Sequence, residues 1–121
     1  MKNKPFEMCM LYDFYGEILT PKQKELFDLY YNDDLSLAEI SEHMGITRQG
    51  VRDGIVRAEH ALRDTEEKLG LVAKYGKTQA DLERLSDIVW ELRGINNVRY
   101  HDATIAQLCE QALQITKQLS E

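Results

Sequence analysis

Residues 35–62 read LSLAEISEHMGITRQGVRDGIVRAEHAL. Ser36 precedes an apolar-periodic segment and Glu39 follows three positions later. The Ser hydroxyl can accept from the Glu amide while the Glu carboxylate reaches back to the Ser amide, so a short helix is expected from Leu37. Leu37, Ile40 and Met44 share one face of it, and Ser41 is small enough to let a second helix approach. Gly45 ends this helix in the left-handed conformation, Ile46 anchors the turn in the core, and Thr47 caps the next helix. In that second helix Val51, Ile55, Ala58 and Leu62 form an inward stripe. Arg48, Gln49, Arg52 and Arg57 then point outward or to the flanks, and these residue types contact phosphates and base edges. The order of cap, short helix, Gly turn, second cap and Arg-bearing amphipathic helix is that of a helix-turn-helix. The same order also suits a plain helical hairpin that packs a small domain, since a fold does not dictate a function.

Upstream, Met8, Leu11, Tyr12, Tyr15, Ile18 and Leu19 follow helical spacing, which predicts a first helix from about Phe6 to Leu19. Thr20-Pro21-Lys22-Gln23 is a second capping box with proline at the first helical position, so a second helix is expected from Pro21 to about Tyr31. Asn32-Asp33-Asp34 breaks it, because short polar side chains compete with helical hydrogen bonding. Either Phe14 or Tyr15 is expected in the core. Tyr30 and Tyr31 suit core or base stacking.

Downstream, the recognition helix is expected to extend toward Tyr75 and stop at Gly76, with Gly70 as a weak point. A further helix begins near Thr78, carries Leu82, Leu85, Val89 and Leu92, and ends at Arg93 before Gly94-Ile95-Asn96-Asn97. The last helix carries Ile105, Leu108, Ala112, Ile115 and Leu119 at alternating spacings of three and four, the seam of supercoiled helices. The chain therefore divides into a helix-turn-helix domain over residues 1–75 and a helical hairpin over residues 76–121. That hairpin closes on the long middle helix or on a second copy, with a homodimer expected. Trp90 is a candidate interface anchor or the edge of the intramolecular core.

A chain of 121 residues with 43% apolar residues, seven glycines and two prolines can bury a core. No apolar run is long enough for a bilayer span, and acidic residues enter before an apolar signal core could form, so a cytoplasmic protein without direct membrane contact is expected. Cys9 and Cys109 lie a hundred positions apart and the three histidines are scattered, so neither a metal site nor a nucleophilic pairing is indicated. There is no Gly-rich phosphate loop and no cofactor motif, and an enzyme is the class these residues support least.

The run TPKQKELFDLYYNDDLSLAEISEHMGITRQGVRDGIVRAEHAL, with the preceding LYDFYGEILT, resembles the YlxM family of small bacterial helix-turn-helix proteins. That family in turn is similar to region 4 of bacterial sigma factors, which reads the minus-35 promoter element. The resemblance covers roughly the first 70 residues. It implies an all-α fold, a sigma region 4-like helix-turn-helix bundle with a C-terminal helical hairpin, and a gene usually placed beside components of the signal recognition particle. On that linkage it implies a part in, or regulation of, co-translational protein targeting, with the particle's RNA or protein components as partners. The chain departs from the sigma pattern at Gly54, where an apolar residue is usual, and adds Gly50 in the same helix. Each glycine weakens the helix by about 0.5–1 kcal/mol relative to Ala, or else the two missing side chains let a partner's backbone come close.

Charge bears on the partner. The net charge is -6, and residues 36–63 hold four basic and four acidic side chains, so the excess acid lies outside the motif. Arg48, Arg52, Arg57 and Arg63 can form a basic face, although Asp53 and Glu59 share the helix. Weak, strongly salt-dependent binding is expected. The alternative to a targeting role is a DNA-binding transcriptional regulator with sigma-like promoter recognition; a third is a protein-interaction module.

Overall fold

A computed structural model describes residues 6–121. All regular structure among the described residues is helical: α1 (Phe6–Tyr15), α2 (Pro21–Phe27), α3 (Leu37–Met44), α4 (Arg48–Leu69), α5 (Leu71–Ile95) and α6 (Ala103–Ser120). The chain is all-α. It divides into two compact units, Met1–Val72 and Ala73–Glu121.

In the first unit, both capping boxes form. The Gln23 amide donates to Thr20 Oγ1 at 3.1 Å and the Thr20 amide to Gln23 Oε1 at 3.0 Å. The Glu39 amide donates to Ser36 Oγ at 3.1 Å and the Ser36 amide to Glu39 Oε1 at 2.9 Å. Each box satisfies N–H groups that the first helical turn leaves without intrahelical partners.

Two apolar clusters meet on α4. Val51 and Ile55 pack with Leu26 and Ile40, while Ala58 and Leu62 pack with Met8, Leu11, Tyr15, Leu19 and Phe27. Leu26 and Phe27, about 100° apart on α2, serve different clusters. Phe27 is stacked between Tyr12 and Tyr31, with ring centroids 4.5 and 4.3 Å away. Tyr30 meets Tyr31 edge-on and packs on the second cluster, so both tyrosines contribute to core packing.

Helix α1 is shorter than its apolar spacing predicts. It ends at Tyr15 and tightens into a 3₁₀ turn over Gly16–Ile18. Gly16 is buried against Tyr12, whose ring lies 3.2 Å from where a Cβ would stand, so a side chain at this bend would have to displace that ring by a few tenths of an ångström. The bend buries Leu19 and leaves Ile18 53% exposed. Tyr15 is in the core and Phe14 is exposed. Helix α2 continues through a wider π turn over Asp28–Asn32, and Asp34 takes the left-handed conformation, φ 55°, before Ser36 opens α3.

The break between α4 and α5 falls at Gly70, not at Gly76. Gly70 adopts φ 65° and its N–H donates to the Glu66 carbonyl at 2.7 Å. Tyr15 supplies what the break needs. Its hydroxyl donates to Glu66 Oε1 at 2.5 Å and accepts from the Leu71 amide at 3.1 Å, while Glu66 Oε1 accepts from the Val72 amide at 3.0 Å. Two N–H groups of α5's first turn are thereby satisfied from α1 and α4. Gly76 and Thr78, expected at a stop and a start, lie inside α5.

The second unit holds the rest of α5 and α6. The chain stays helical past Gly94 and Ile95 into a π turn over Asn96–Tyr100, and reverses at His101, φ 53°. Buried Asn96 staples the reversal: its Nδ2 donates to the Asp102 carbonyl and its Oδ1 accepts from the Asp102 amide, both at 2.9 Å. Asp102 then caps α6 through the Ile105 amide at 2.9 Å. Arg93 meets Glu110 at 3.6 Å and Gln79 meets the Ser120 carbonyl at 3.4 Å, so the helices run antiparallel.

Candidate nucleic-acid interface

The turn between α3 and α4 is rigid by construction. Gly45 takes φ 69°, the Gly45 amide donates to the Ser41 carbonyl at 2.9 Å, and the Ser41 hydroxyl donates to the Ile46 carbonyl. Ile46 packs on the second cluster, and Thr47 Oγ1 accepts from the Gly50 amide at 3.0 Å. Val51, Ile55, Ala58 and Leu62 are all buried, so the outer surface of α4 is set by default.

That surface carries Arg48, Gln49, Arg52 and Arg57, all exposed. Among the described residues none of the three arginines is in an ion pair; of the acids on the same helix, Asp53 Oδ1 accepts from Gln49 Nε2 at 2.9 Å and Glu59 accepts from the Tyr31 hydroxyl. The four residues do not form one flat patch. Arg48 and Arg52 stand on one flank of α4, and Arg57, five residues on, lies about 140° around the helix from Arg52. Val56, 48% exposed, stands between the flanks.

On Arg57's side a groove of about 390 Å³ runs between α4 and the start of α2. Lys22 and Gln23 line one wall, Asp53 and Arg57 the other, and Gly50 and Gly54 its floor. The glycines are explained here. A Cβ on Gly54 would stand 2.4 Å from Leu26 Cδ1, inside any real contact distance, so Gly54 is what lets α2 seat its buried leucine against α4. A Cβ on Gly50 would stand 3.2 Å from the capping Thr47 Oγ1. The close neighbour belongs to the same chain. Lys22 and Val56 join the surface without having been singled out in the sequence. Lys22 sits next to a capping proline, and its helix is held against α4 by Leu26 and Phe27, contacts that the local sequence around Lys22 does not announce.

Three tyrosines below this surface hold their protons tightly. Burial pushes the Tyr31 phenol well above its ordinary value, and donation to the Glu59 carboxylate adds to the effect. Burial followed by the bond to Glu66 raises Tyr15, and burial followed by the bond to Asp28 raises Tyr12.

A family model described as "Putative helix-turn-helix protein, YlxM / p13 like" matches residues 2–99. The chain belongs to the UPF0122 family. A UPF0122 protein of Acetivibrio thermocellus is 45% identical over 114 residues, covering 93% of this chain and 95% of that protein. One from Geobacillus kaustophilus is 48% identical over 89 residues, covering 74% and 81%. Another, from Caldanaerobacter subterraneus, reaches 50% over 82 residues, covering 68% and 70%. The UPF0122 match spans the helix-turn-helix and all of α5. No described helix is long and apolar enough to cross a membrane.

Proposed function

We propose that this UPF0122 protein is a cytoplasmic, homodimeric regulatory or accessory factor of the signal recognition particle pathway that binds the particle's RNA through the outer surface of α4. The observation that carries the reading is the set of three exposed arginines, Arg48, Arg52 and Arg57, without ion-pair partners among the described residues, on a helix whose entry is fixed by Gly45 and Thr47. Unpaired guanidiniums on a rigid helix are available to phosphates, and phosphate contacts supply most nucleic-acid affinity. The link to targeting rests on the sequence resemblance described above.

The divided placement of the arginines suits a partner that reaches both flanks of α4 better than a flat one. The acidic remainder of the chain keeps the affinity low and salt-dependent. The test titrates full-length protein against signal recognition particle RNA and mixed-sequence duplex DNA at 50 and 200 mM salt, then repeats it with Arg48→Ala/Arg52→Ala. Binding to RNA that weakens with salt, with a log–log slope of about −2 to −3, and that weakens further in the double variant is expected. Sequence-selective duplex binding would favour promoter recognition instead. Binding indifferent to salt and to both arginines would overturn every nucleic-acid reading and leave a protein-interaction module.

A further inference from the structure

The hairpin of the second unit buries little. Val89 and Cys109 are its buried apolar side chains, joined by Asn96 and Thr116. The inward positions of α5, at Leu82, Ser86, Val89, Arg93 and Asn96, are only partly apolar. One residue earlier stands a different row, which opens on Asp81 and continues as the stripe Leu85, Ile88, Leu92 and Ile95. On α6 the partly or fully buried positions include Ala106, Cys109, Leu113 and Thr116, and again one step earlier stand Ile105, Leu108, Ala112 and Ile115, continued by Leu119. The large side chains of both stripes are 40–64% exposed.

The two stripes lie on the same face. A step of one residue back turns about 100° around a right-handed helix, and in an antiparallel pair that turn carries both stripes to one side of the plane through the two axes. The opposite groove confirms the sense. Glu83, Asp87 and Trp90, at or just past α5's inward positions, line it together with Lys117, just past Thr116 on α6. The hairpin is therefore two-faced, with Glu83, Asp87, Lys117 and Trp90 on one side and Leu and Ile on the other, where Asp81, paired with Lys77, stands at the start of the α5 row. Trp90, 55% exposed under the Arg93 guanidinium at 5.0 Å, belongs to the polar side and not to an apolar seam.

Resting on the homodimer reading above, we infer that the face formed by Leu85, Ile88, Leu92 and Ile95 of α5 with Ile105, Leu108, Ile115 and Leu119 of α6 is the seam on which a second copy of this chain docks, giving a four-helix bundle. Three observations select a second copy. Eight Leu and Ile side chains at about half exposure present roughly 700 Å² of apolar surface, beyond the few hundred Å² a typical monomer shows and close to the ~800 Å² each partner contributes to a stable interface. The alternating three-and-four spacing on both helices is the pattern that pairs with its own kind around a two-fold axis. Glu83, Asp87 and Glu110 flank the opposite groove, so face-to-face pairing of two acidic chains does not bring these carboxylates together.

Sedimentation equilibrium of the full chain from about 1 to 100 µM tests this, with Leu92→Glu/Leu108→Glu on the seam and Glu83→Lys/Trp90→Ala on the opposite groove. The parent should sediment at twice its 14.0 kDa mass. The seam variant should keep its helical circular dichroism and dissociate at concentrations on the order of 100-fold higher or more, while the groove variant stays dimeric. A monomeric parent at 100 µM would overturn both the homodimer and its seam. A dimeric parent that is unaffected by the seam variant but dissociated by the groove variant would overturn the seam alone.

Discussion

The helix-turn-helix unit and the hairpin use the same sequence device to opposite effect. In α4 the apolar stripe Val51, Ile55, Ala58 and Leu62 is buried within its own unit, whereas in α5 and α6 the stripes that repeat most regularly face outward and the helices meet one residue later. A helical stripe thus states that a face must be covered, not by what. α4 finds its cover in α1, α2 and α3 of the same chain. Within the hairpin, α5 and α6 meet through the less apolar positions.

The largest contrast to test is between matched leucines. Leu62→Ala removes a fully buried side chain and should destabilise the first unit by about 2–5 kcal/mol in urea denaturation. The equally conservative Leu85→Ala should cost the isolated chain under about 1 kcal/mol, with any larger loss vanishing on dilution to monomer. Equal losses at both sites, independent of concentration, would erase the distinction.

Glycines give the next test. Gly54→Ala forces a Cβ onto Leu26, and overpacking of about 1–3 kcal/mol outweighs the helix-propensity gain of about 0.5–1 kcal/mol. Gly76→Ala in α5 meets nothing within 4 Å and should stabilise by about 0.5–1 kcal/mol. Opposite signs of the thermal-melting shift are expected, although both are mid-helix Gly→Ala changes.

The smallest effect concerns pH. The Tyr12, Tyr15 and Tyr31 phenols are held above their ordinary value of 10.0, so the folded state keeps protons that the unfolded chain releases. The stability they lend is complete below about pH 10 and is lost as pH climbs through the raised values. Melting temperature should fall above pH 10, less steeply in Tyr31→Phe.

The features legible in the residues alone are those settled within about four positions of chain. Both capping boxes, the Gly45 turn, the Thr47 cap and the α4 stripe are of this kind, and with them the outward placement of Arg48, Gln49, Arg52 and Arg57. What escaped depends on distant partners. Gly70 outcompetes Gly76 as the helix break because Tyr15 and Glu66 reach the freed amides there. Thr78 has the form of a cap, but an uninterrupted helix precedes it. The role of Gly54 is invisible until Leu26 is seen against it, 28 positions away, and the hairpin's register depends on which of two neighbouring stripes meets the other helix.

The Tyr15 hydroxyl has a kinetic meaning. Its bond to Glu66 spans 51 positions, while the contacts around Gly45 span five or fewer. Closing the longer loop costs chain entropy before any contact returns it, so the local turn assembles first and α1 is latched afterwards. A contact made after the folding barrier governs departure, not arrival. In stopped-flow measurements Tyr15→Phe should therefore speed unfolding and leave the refolding rate near that of the parent, making one phenol the timer of how long the α4–α5 break, once formed, stays closed.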